Sequence, residues 1–78
     1  MFQIEGAAPG DCILAVSEPG IKPAAHNVRE VHGEFSHDFV VSPVSKRYYA
    51  SLSCDGRSVK ERTFIYPNEI GVGGVLKI

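Results

Sequence analysis

Three histidines, His26, His32 and His37, fall within twelve residues and stand beside Glu30, Glu34 and Asp38. On one strand face, Glu30, His32 and Glu34 would offer mixed nitrogen and oxygen donors suited to a divalent metal. No His-Glu-x-x-His pattern and no paired-cysteine motif accompanies them, and His37 falls on the opposite face from His32. A solvated strand face is the simpler expectation for the stretch 26–38. Nucleophilic catalysis needs a nucleophile, a base and an orienting group in contact. Cys54, His32 and Asp38 supply the residue types, but no Gly-x-Ser-x-Gly elbow or catalytic-cysteine signature frames them. Gly71-Val72-Gly73-Gly74 lacks the following helix, or the Lys-Ser/Thr, that a phosphate cradle requires. These residues lead us to expect no cofactor, no metal and no enzyme.

The segment 46–66 carries a stronger signal. Five of the eight basic residues, Lys46, Arg47, Arg57, Lys60 and Arg62, lie in it, interleaved with Tyr48, Tyr49, Phe64 and Tyr66. Arg and Tyr are the residues that dominate protein–protein hot spots. Cations that track phosphates beside aromatics that stack on bases would instead suit single-stranded nucleic acid. The whole chain is slightly acidic, with a formal net charge of −1. Nucleic-acid domains are usually strongly basic, so a protein partner is the first expectation and nucleic acid the second. The binding residues expected are Lys46, Arg47, Tyr49, Arg57, Lys60 and Arg62.

Asp55-Gly56 must position these residues. It sits between two alternating runs and has the chemistry of a type I′ turn, so the segment reads as a hairpin. A two-residue turn sets Leu52 opposite Val59, Ala50 opposite Glu61 and Tyr49 opposite Arg62. Tyr49, Ser51, Lys60 and Arg62 then share a face. The rival is a helix entered through Ser42 and Pro43, with Val44, Tyr48 and Leu52 in line.

Elsewhere Phe2–Glu5 alternates as a half-buried strand, Gly6–Asp11 reads as a turn, and Cys12–Val16 reads as a buried strand. Pro19-Gly20 suits the centre of a type II turn. Residues 23–32 would form one short helix, from Pro23 to a stop at Gly33, or a loop leading into a strand at Val28. From Val28 onward Val31, Phe35, His37, Phe39 and Val41 share one face. A straight strand over that stretch would run about 46 Å, longer than the roughly 30 Å globule this chain can make. It must therefore bend, either at Gly33 as a bulge or helix stop or at Ser36-His37-Asp38 as a turn, and Gly33 is the favoured place. Val75, Leu76 and Ile78 close the chain as a last strand. Gly10-Asp11-Cys12-Ile13-Leu14-Ala15-Val16 resembles the strand entry of PDZ domains over seven residues; the peptide-groove elements that go with it there do not follow, and nothing is carried over.

With 78 residues, 44% of them apolar and 22% charged, composition excludes a disordered tail, and no apolar run is long enough for a membrane span. The expectation is a single small domain over 1–78. It is all-β, with or without one short helix near 23–32, and its five to six strands form an antiparallel barrel or sandwich. So short a chain has little room for an enclosed pocket. Two cysteines and a start without basic or apolar leader regions point to a cytoplasmic protein, with Cys12 a buried small hydrophobe and a structural Cys12–Cys54 disulfide the lesser alternative. The leading functional expectation is a non-enzymatic binding module, an accessory or inhibitory protein of the kind phages and mobile elements encode. Its partner would be a protein with an acidic patch, a homodimer being compatible with the same surface. Residues 1–38 hold 2 basic and 6 acidic residues, and residues 39–78 hold 6 basic and 3 acidic ones. Near-neutrality thus conceals a polarity along the chain.

Overall fold

The computed structural model describes residues 1–42 and 44–78; the expectation placed on Pro43 lies outside them. The chain is a five-stranded all-β sheet. Its elements are β1 (Phe2–Ser17), a single 3₁₀ turn (Ala25–Asn27), β2 (Val28–Phe39), β3 (Lys46–Cys54), β4 (Arg57–Tyr66) and β5 (Val75–Lys77). The strand order is β2-β1-β3-β4, and β5 pairs with β1 in parallel. Gly6–Asp11 is not a free turn. It stays within β1, because β2 runs alongside it, and its extra residues are absorbed as a bulge between Ala8 and Asp11. No helix stands at 23–32 beyond the 3₁₀ turn, since Val28 already enters the ladder with Ala15. The segment around Tyr48 and Leu52 is strand, not helix.

The bend that length requires falls at Gly33, not at Ser36-His37-Asp38. Gly33 takes a φ of +66°, opposite the bulge in β1, a conformation open to glycine without a Cβ penalty. The whole β1–β2 ribbon doubles back there. Arg29 and Asp38, nine residues apart on β2, would sit about 30 Å from each other on a straight strand. Instead the Arg29 guanidinium donates to the Asp38 carbonyl at 3.1 Å and lies 4.8 Å over the Phe39 ring.

Doubling over makes two layers from one sheet. One holds the second half of β2, the first half of β1, and β5. The other holds the first half of β2, the second half of β1, β3 and β4. Between them lies the core, with Phe2 at its centre against Phe39, Phe64 and Tyr66 at ring-centroid distances of 6.0, 5.3 and 5.0 Å. Ile4, Leu14, Val16, Leu52 and Leu76 fill the rest, all fully buried or nearly so. The barrel does not close. Each of its two open seams is crossed by an arginine: Arg29 reaches the Asp38 carbonyl, and Arg62 reaches the Lys77 carbonyl at 3.1 Å.

The cysteines depart from expectation. Cys12 and Cys54 are direct partners in the β1–β3 ladder and form a disulfide, so neither thiol is free. Cys12 is buried as anticipated, and Cys54 is partly so. No helix in the described residues is long and apolar enough to cross a membrane.

Candidate interaction surface

The Asp55-Gly56 turn forms as the sequence indicates, with both residues at positive φ and Cys54 opposite Arg57. The register beyond it differs from the expected one. Ser53 pairs with Ser58, then Leu52 pairs with Lys60 rather than Val59. Val59 is the extra residue of a bulge, and a shift of one residue moves every later side chain to the other face. Val59 is accordingly 48% exposed while Leu52 is wholly buried.

The bulge splits the expected face in two. Tyr49 and Ser51 point outward with Thr63 and Glu61, their ladder partners. Lys60 and Arg62 lie on the inner side with Leu52 and Ala50, as does Arg57 with Cys54. Arg47 pairs with Ile65 on the outer face. Lys46, at the foot of the hairpin, is held 3.7 Å from Glu18. The six expected residues therefore do not form one surface. Arg57, Lys60 and Arg62 are brought together; Lys46, Arg47 and Tyr49 stand apart from them.

β4 itself has an unusual setting. Every residue from Arg57 to Thr63 is exposed, whichever face it points to, and burial begins only at Phe64. The reason is the mismatch of the layers, four strands over three. Among the described residues β4 pairs only with β3, and its first seven residues extend uncovered past the three-stranded layer. Arg57 and Lys60 find no carboxylate partner among the described residues. The Tyr49 hydroxyl is pushed above its ordinary range, first by desolvation and then by the Glu61 carboxylate on the same face.

The histidine stretch gathers no metal site. His32 Nδ1 lies 2.9 Å from the Asp11 carboxylate, and no cluster of three ligating side chains occurs among the described residues. An open groove of about 580 Å³ runs past Asp11, Glu30, His32 and Asp55 at the disulfide end of the sheet. Sequence reading missed the two seam arginines. Arg29 lies outside the basic cluster, and nothing local signals its role. Arg62 looked like a free surface cation.

No protein-family model, curated protein or solved structure matches this chain.

Proposed function

We propose that the chain is a non-enzymatic protein-binding module of the accessory or inhibitory kind, acting in the cytoplasm, that engages an acidic partner through the overhanging part of β4. The observation that supports this most is the exposure of Arg57–Thr63 on both faces of an edge strand. Long bare edges invite pairing with another chain, and folds usually cover or blunt them. Here the blunting is selective. Arg57 and Lys60 disfavour the registers that set them opposite the cations of a second β4, because like charges placed opposite one another destabilise a strand pair. The same cations favour a carboxylate-bearing strand. Single-stranded nucleic acid fits less well, since Tyr49, the outward aromatic of β3, stands on the other face from Arg57, Lys60 and Arg62.

An eight-residue peptide of alternating valine and glutamate, labelled for fluorescence anisotropy, tests this against its valine–lysine counterpart and an oligothymidylate. The acidic peptide should bind, and Arg57→Glu with Lys60→Glu should weaken it at least tenfold without shifting the melting temperature. Equal binding by wild type and variant, or tighter binding of the oligothymidylate, would overturn the reading.

A further inference from the structure

The open side of the three-stranded layer is bounded by two elements. Below is the free edge of β5; above is the inner side of β4. No Cα of β4 comes within 8 Å of β5, whereas neighbouring strands lie about 4.8 Å apart. The two are therefore not a frayed pair. In the parallel β1–β5 ladder the Gly74 carbonyl accepts from Gln3 and the Ile78 amide donates to Glu5. Alternate residues of a strand direct their backbone groups to the same side, so Val75 and Lys77 turn theirs outward. The Lys77 carbonyl on this outer edge is the group that Arg62 holds.

We infer that an extended acidic segment of the partner seats here as a fourth strand of the short layer, hydrogen-bonded to the outer edge of β5 and covered by the inner side of β4. This rests on the reading of the protein as a module for acidic partners and names where the partner lies. Backbone groups of Val75 and Lys77 give the strand its register. Every second side chain of the added strand points towards β4, where carboxylates two residues apart meet Arg57, Lys60 and Arg62. Arg62 leaves the Lys77 carbonyl to the incoming amide and turns to a carboxylate. The seated strand evens the layers at four and four.

Amide hydrogen exchange of the full chain, with and without the valine–glutamate peptide, tests the seat. Protection gained at Val75 and Lys77 is the result expected. Val75→Pro removes an outward donor and leaves the groups facing β1 untouched, so it should weaken peptide binding at least tenfold in a chain that still melts cooperatively. Protection gained instead on the β4 amides that face away from β3 would overturn this seat while sparing the acidic-partner reading. Failure of the peptide to bind at all would remove both. Concentration-dependent mass of the chain without peptide would show a second copy as the occupant, and would also overturn the proposal.

Discussion

At the scale of single residues, Phe2 carries the heaviest structural duty. Its ring joins both layers, touching Phe39 on β2 and both Phe64 and Tyr66 on β4. Truncating a buried phenylalanine costs about 3–5 kcal/mol, which rivals the whole stability of a domain this short. Phe2→Ala should therefore abolish the cooperative transition in urea. Leu52 and Val59 form a sharper pair for testing the hairpin. Leu52→Ala should cost about 2–5 kcal/mol, whereas Val59→Thr, on the exposed bulge, should stay within about 0.5 kcal/mol. Similar losses at both positions would restore the register without a bulge. Tyr49 supplies the pH prediction. Its phenol ionises above the usual 10.0 in the folded chain, so the folded state holds that proton more tightly than the unfolded one. Stability then falls as pH rises past the unfolded value, and continues to fall until the folded phenol titrates. Glu61→Gln should lower the Tyr49 pKa in an ultraviolet titration. It should not return it fully, because desolvation is the larger cause.

At the scale of elements, what could be read in advance depended on how local the determinant was. The Asp55-Gly56 turn, the inward alternation of Val31, Phe35 and Phe39, and the bend at Gly33 each follow from a few adjacent residues or a length limit. The bulge at Val59 was legible in principle. Phe64 and Tyr66 face inward with Leu52 only if one residue between 57 and 64 is skipped, so the change of apolar phase after Val59 marks it. The continuity of β1 through Gly6–Asp11 was not legible, because a partner strand some 25 residues away decides it. The same holds for the seam arginines and for the disulfide, which depend on the β1–β3 register. The candidate surface suffered most, since one bulge dispersed six residues that a regular hairpin would have grouped. Two substitutions probe these elements. Gly6→Ala would place a Cβ 2.6 Å from the Ile78 carbonyl, so it should loosen β5 and raise amide exchange there. Replacing both cysteines by serine should cost about 4 kcal/mol if loop entropy governs, given a cross-link over a separation of 42 residues. A denaturant titration of that variant checks the figure.

At the scale of the molecule, the polarity along the chain is only partly kept in space. Lys46 with Glu18, and Lys77 with Glu5, stitch the basic half to the acidic half at 3.7 and 3.8 Å. Arg29 and Arg62 are occupied by carbonyls. What survives is a short cationic stretch on β4 at the one place where the two layers differ in strand number. Sedimentation at low salt should therefore find a monomer, with β4 edges repelling one another. The cross-link between Cys12 and Cys54 gives this arrangement a mechanical meaning. It lies at the turn end of the hairpin, on the outermost rung of the ladder that joins β3 to β1. A partner that tugs on β4 cannot peel the hairpin away from β1 one hydrogen bond at a time, because a covalent bond stands at the tip of the crack. The load passes directly into the longest strand of the fold.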